Sequence, residues 1–161
     1  MKVRIWHALA LVLGGVGIFS TALFFNPVRA DGLSEKLQTI VLPPGFEISL
    51  FASGVTGARS LALGDEGTIF VGTRSEGRVY ALKDSDGDFR ADTTYIVAKE
   101  LNSPNGVAFR NGALYVAEIG RVLRYDAIEK HLLDPPRPVI LSEAFPTDGH
   151  HGWKFIRFGP D

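Results

Sequence analysis

Gly67-Thr68-Ile69-Phe70-Val71-Gly72-Thr73-Arg74, followed by Gly77-Arg78-Val79-Tyr80-Ala81-Leu82, is the stretch on which the fold turns, because the chain writes it twice. The second copy is Gly112-Ala113-Leu114-Tyr115-Val116-Ala117-Glu118, followed by Gly120-Arg121-Val122-Leu123-Arg124-Tyr125. The opening glycines lie 45 residues apart and the Gly-Arg-Val starts 43 apart. Each copy is preceded by a strand that ends on an apolar pair, Leu61 and Leu63 in one case, Val107 and Phe109 in the other. The turn between them carries glycine where a tight hairpin needs positive φ, at Asp65-Glu66-Gly67 and at Arg110-Asn111-Gly112. This is the strand–turn rhythm of a four-stranded propeller blade, whose usual period is about 40 to 50 residues.

A third copy opens at residues 155–161, where Phe-Ile-Arg-Phe-Gly-Pro-Asp matches residues 61–65. Propellers close with about four to eight blades, so a ring at this period needs roughly 180 to 350 residues. Residues 31–161 hold about two and a half blades. The expectation is therefore an all-β chain forming part of a propeller and belonging to a longer parent; a small self-contained β-sandwich is the alternative. Ahead of the repeats, residues 31–40 form a polar lead-in with helical tendency, Leu42-Pro43-Pro44-Gly45 breaks it, and residues 46–51 alternate like a strand.

The first 30 residues speak to compartment. Lys2 and Arg4 precede an uncharged run over residues 5–28, and Val28-Arg29-Ala30 supplies the small residues of a cleavage site. Residues 1–30 read as a signal peptide, with residues 31–161 as the exported propeller portion, periplasmic or secreted. The second choice is an uncleaved membrane anchor, since residues 5–25 are long enough to span a bilayer. With Lys2, Arg4 and Arg29 set aside, 14 basic residues face 18 acidic ones, a net charge of −4. Such a body offers nothing to nucleic acid, and membrane contact is expected only through an uncleaved leader. The absence of cysteine excludes disulfides, thiolate metal sites and cysteine nucleophiles.

Three constellations carry chemistry. Asp148-Gly149-His150-His151-Gly152-Trp153-Lys154 sets two histidines in a loop just before a strand, the position at which a propeller builds its binding face. Imidazole is the side chain suited to proton transfer near neutral pH, and a carboxylate such as that of Asp148 can orient it; a surface loop or an adventitious metal pair fits the same residues. Asn102-Ser103-Pro104-Asn105-Gly106 is the equivalent loop one repeat earlier, either a source of amides for a polar ligand or a plain turn. Asp84-Ser85-Asp86-Gly87-Asp88-Phe89-Arg90-Ala91-Asp92 spaces Asp84, Asp86, Asp88 and Asp92 as oxygen donors for a hard cation, although its glycine comes earlier than in an EF-hand loop and Tyr95 stands where a bidentate glutamate belongs. A solvated acidic turn is the alternative. Arg59, Arg74 and Glu118 fall at strand ends, where they face the propeller axis or its rim. No P-loop, nucleophile elbow or HExxH motif is present.

Pro43-Pro44-Gly45-Phe46, residues 67–74, the DSDGDFRAD turn, LNSPNGVAF at 101–109, LYVAE at 114–118 and HHGWKFIRFGPD at 150–161 together resemble the glucose/sorbosone dehydrogenase family, and most of all its sorbosone dehydrogenase-like branch. The resemblance runs from Leu42 onward. It implies an exported six-bladed quinoprotein that oxidises a sugar or hydrated aldehyde, passing hydride to pyrroloquinoline quinone with Ca²⁺ at the end of the central channel, and electrons onward to an external acceptor. On this register His151 matches the family's catalytic base better than His150, Asp148 the neighbouring carboxylate, and Asn105 the polar residue at the previous blade entrance. The residues that hold the quinone and its Ca²⁺ lie mostly beyond Asp161 in that family. A propeller that only binds a ligand, and a propeller lactonase with metal-binding Glu, Asn and Asp residues around its channel, are the alternatives.

Overall fold

The computed structural model describes residues 31–160; the leader expected over residues 1–30 lies outside them. Residues 31–41 contain one helix, α1 (Asp31–Gln38), closed by the Thr39 hydroxyl, which donates to the Lys36 carbonyl at 2.8 Å. Among the described residues no helix is long and apolar enough to cross a membrane.

From Leu42 onward the chain is β structure. β1 (Ala58–Leu63), β2 (Ile69–Thr73), β3 (Val79–Lys83) and β4 (Thr93–Ala98) form one antiparallel four-stranded sheet in that order. β5 (Gly106–Arg110), β6 (Ala113–Ala117), β7 (Val122–Tyr125) and β8 (Val139–Ser142) form a second of identical topology. The repeat in the sequence is thus a repeat of sheets, in a propeller-like arrangement. Even the irregularities recur: the ladder between third and fourth strands slips after Val79 in one sheet and after Val122 in the other, the two Gly-Arg-Val valines.

The apolar pattern sets which strands lie inside. β2 and β3 are buried on both faces and accordingly run Ile-Phe-Val and Val-Tyr-Ala-Leu with no charged residue before Lys83. The outer strand β8 is exposed at Val139, Ile140 and Leu141. β5 and β6 are joined by Asn111-Gly112, both at positive φ (53° and 75°), the conformation a two-residue hairpin requires. One core fills the space between the sheets: Phe70, Val79, Ala81 and Val97 meet Val107, Leu114, Val116, Leu123 and Tyr125, with Phe70 and Phe109 stacked at 5.6 Å. A smaller cluster on the far side of the first sheet packs Val71, Tyr80 and Leu82 beneath Phe51, Ala52 and Val55.

Two expected strands do not form ladders. Residues 46–51 are irregular, with Phe46, Ile48 and Leu50 exposed, since no described strand runs beside them. Residues 153–158 are also irregular, yet they lie where the third repeat should begin, against β5. β1, β5 and residues 155–158 together line a cavity of about 380 Å³, whose wall includes Leu61, Leu63, Phe109 and Phe155. The first strands of the two sheets and the opening of the third repeat therefore stand side by side.

Candidate functional site

The starts of β1 and β5 and the ends of β2 and β6 fall at the same end of the antiparallel sheets, and the loop over residues 148–153 reaches that end. Thr73 and Glu118 close equivalent turns there. The Thr73 hydroxyl donates to the Arg78 carbonyl at 2.6 Å and accepts from the Arg78 amide at 3.1 Å. The Glu118 amide donates to the Arg121 carbonyl at 2.9 Å. Glu118 is only 1 % exposed, so it is not a solvated rim residue. Its carboxylate pairs with the Arg121 guanidinium and accepts from the Asn102 amide. Burial, with the Glu118 charge nearby, pushes the Tyr125 phenol up to about 12 against the opposing pull of Arg121.

Asn105, at the entrance to β5, ties β1 to the segment that opens the third repeat. Its Nδ2 donates to the Lys154 carbonyl at 2.8 Å, its Oδ1 accepts from Arg59 Nε at 3.3 Å, and its own carbonyl accepts from the Ser60 hydroxyl. Ser60 Oγ in turn accepts from the Val107 amide at 3.3 Å. At 7 % exposure, Asn105 directs its amide at protein groups rather than outward. The backbone packs to match: a Cβ on Gly106 would lie 2.7 Å from the Lys154 carbonyl oxygen. Lys154 holds the preceding loop, its Nζ donating to the carbonyls of Ile119 and Gly152. Sequence reasoning missed Ser60 and Lys154, whose partners are distant in the chain.

His150 and His151 are exposed in that loop, their rings 4.4 Å apart and nearly perpendicular. His151 has a φ of 58°, in the left-handed region, and its ring lies 5.4 Å from Trp153. The Arg74 guanidinium sits 3.9 Å over the Trp153 ring, so the end of β2 reaches the histidine loop. Among the described residues the Asp148 carboxylate makes no hydrogen bond or ion pair with either histidine.

The acidic turn lies at the opposite end of the sheet, between β3 and β4. Asp84, Asp86 and Asp88 each offer a carboxylate oxygen within 4.8 Å of the others. The loop is shaped by its own amides: Asp84 accepts from Gly87 (2.8 Å) and Phe89 (3.0 Å), and Asp88 from Arg90 (2.8 Å). Asp92 stands apart from that trio and accepts from the Ser85 amide at 2.7 Å, closing the loop at its base.

No curated protein matches this sequence. Two solved structures of carbohydrate-active enzymes of family AA12 from Trichoderma reesei resemble it in fold. The first, an iodide structure, is 19 % identical with a TM-score of 0.61 over 74 % of this chain and 31 % of that one. The second, a calcium structure, is 22 % identical with a TM-score of 0.50 over 62 % of this chain and 26 % of that one. The chain thus spans under a third of the length of those proteins. A family model covers nearly everything described above, from residue 32 to residue 161, and by that match the chain belongs to DUF7133, a domain family of unknown function.

Proposed function

We propose that this chain is the N-terminal portion of an exported, quinone-dependent propeller dehydrogenase that oxidises a sugar or other aldose, with His151 as its base. The observation that carries the reading is the site end of the sheets. There the entrances of β1, β5 and the third repeat are tied through Asn105, and the His150–His151 loop stands over them with Arg74 beside it. The fold likeness to carbohydrate-active enzymes supports it.

In this reading an imidazole nitrogen of His151 takes the proton from the substrate hydroxyl as the C–H bond at the same carbon breaks. When bound, pyrroloquinoline quinone supplies the acceptor for the hydride. The residues present fit part of that role: exposed imidazoles suit an anionic, planar partner, whereas Asn105 spends its amide on Arg59 and Lys154. The remaining quinone contacts must come from outside the described residues.

The test is dye reduction by the full-length natural protein, reconstituted with the quinone and Ca²⁺ and offered glucose and other aldoses. His151→Asn is the informative variant, because asparagine tolerates the left-handed backbone that alanine would strain. It should cut kcat by about a thousandfold while quinone stays bound. Undiminished turnover would remove His151 from the role. A propeller that only binds a ligand is the second reading, favoured by the lack, among the described residues, of any hydrogen bond from a histidine to the Asp148 carboxylate; absence of dye reduction with every aldose would put it ahead.

Calcium belongs to the same proposal. Oxygens within 4.8 Å of one another fit one cation, since ligands across a Ca²⁺ ion lie about 5 Å apart. Calorimetric titration of the intact protein should show a Ca²⁺ event that Asp86→Asn weakens at least about tenfold. An identical isotherm for the variant would leave the turn as solvated acid groups.

A further inference from the structure

The two imidazoles of the site loop have no hydrogen-bonding partner among the described residues, so their orientation rests on ring contacts. One chain of contacts leads away from His151: its ring meets Trp153 at 5.4 Å with a tilt of 38°, and the opposite partner of Trp153 is the Arg74 guanidinium at 3.9 Å. Both ends of that stack are anchored. Arg74 directly follows Thr73, a residue with no exposed surface that is held by two hydrogen bonds to Arg78. Trp153 directly precedes Lys154, whose carbonyl is held by Asn105 and whose ammonium is held by Ile119 and Gly152.

A guanidinium at this distance from an indole centroid is well inside the range of cation–π attraction. Its planar group can lie flat on the ring, which an ammonium cannot do. The contact therefore fixes the plane of the indole, and the indole in turn limits the rotation of the imidazole beside it. The loop gains this restraint from the first sheet, across more than one repeat of sequence.

We infer that Arg74 is a positioning residue, acting through Trp153 to hold the His151 imidazole in one orientation. For its catalytic consequence the inference rests on the dehydrogenase reading above; the structural link stands on the contacts alone.

The experiment compares Arg74→Ala, Arg74→Lys, Trp153→Ala and Trp153→Phe in the full-length protein. The first readout is independent of turnover. The C2–H resonance of the His151 imidazole, assigned by its loss in His151→Asn, should move in Arg74→Ala and in Trp153→Ala. It should stay near its native position in Trp153→Phe, which keeps an aromatic face. Arg74→Lys keeps the charge and loses the plane, so it should shift the resonance in the same direction as Arg74→Ala. Trp153 emission, with the Trp153→Phe spectrum subtracted to remove the contribution of every other tryptophan, should shift in both Arg74 variants. In turnover, Arg74→Ala should lower kcat roughly tenfold with KM unchanged. Arg74→Ala combined with Trp153→Ala should be no slower than Trp153→Ala alone, as expected of two residues acting in series.

Native resonance and emission in Arg74→Ala would overturn the inference. A raised KM, or additive losses in the double variant, would also overturn it by making Arg74 a direct substrate contact. If the unaltered protein reduces dye with no aldose, the dehydrogenase reading fails, and the resonance and emission still decide whether Arg74 positions the loop.

Discussion

Replacing Gly72 with alanine should destabilise the protein by about 3 kcal/mol or more, the upper range for forcing extra volume into a packed interior. Gly72 is buried in β2, and a Cβ there would lie 2.5 Å from the Asn105 carbonyl oxygen and 2.7 Å from that of Pro104. Both obstacles are backbone, so no rotamer change relieves them. Nor can the loop retreat cheaply, because Asn105 ties it to Arg59, Ser60 and Lys154. Gly67→Ala is the control. Its Cβ would meet open space and its φ is 79°, so it should cost only about 1 kcal/mol through backbone strain. Urea unfolding of the two variants beside the unaltered protein makes the comparison. Equal losses would mean that residues 104–105 do not press on β2 as described.

Asn105→Ala should cost about 1 to 3 kcal/mol, because it removes a buried side chain and leaves the Lys154 carbonyl without its donor. Asn105→Asp should fare no better, since it sets a second oxygen against the Lys154 carbonyl. The same variants separate two roles for this residue. As a clasp between strands, Asn105 affects unfolding by urea first, and any loss of quinone affinity should follow the loss of fold. A variant as stable as the native protein that no longer binds quinone would return Asn105 to the cofactor site that the family resemblance implies.

The two sheets were legible because their signals are local. The repeated Gly-Arg-Val, the apolar runs of the inner strands and the Asn111-Gly112 turn each act within a few residues, and each forms as the pattern requires. The acidic turn was legible for the same reason: Asp84 reaches amides three and five residues on, Asp88 one two residues on. Residues 46–51 alternate correctly for a strand, but alternation specifies a face and not a neighbour, and no described strand lies beside them. The site was harder to read. Asn105 finds Arg59 and Lys154 at separations of 46 and 49 residues, and the buried Glu118 carboxylate accepts from the Asn102 amide 16 residues away. Nothing in the spacing of those residues announces such partners. Arg74 and Trp153 are an ordinary arginine and tryptophan until the fold stacks them.

One tie at the far end of the sheets has a separate meaning. The Glu66 amide sits in the exposed β1–β2 turn, yet it donates to both carboxylate oxygens of Glu129, at 3.1 and 3.2 Å, and Glu129 belongs to the short 3₁₀ turn that follows β7 in the other sheet. A turn amide ordinarily exchanges its proton with solvent as fast as its own hairpin frays. This one is also tied to a carboxylate from the neighbouring sheet, so its exchange should be slower than in Glu129→Ala, where only the hairpin itself holds it. A single surface proton thereby reports on a contact between the two repeats.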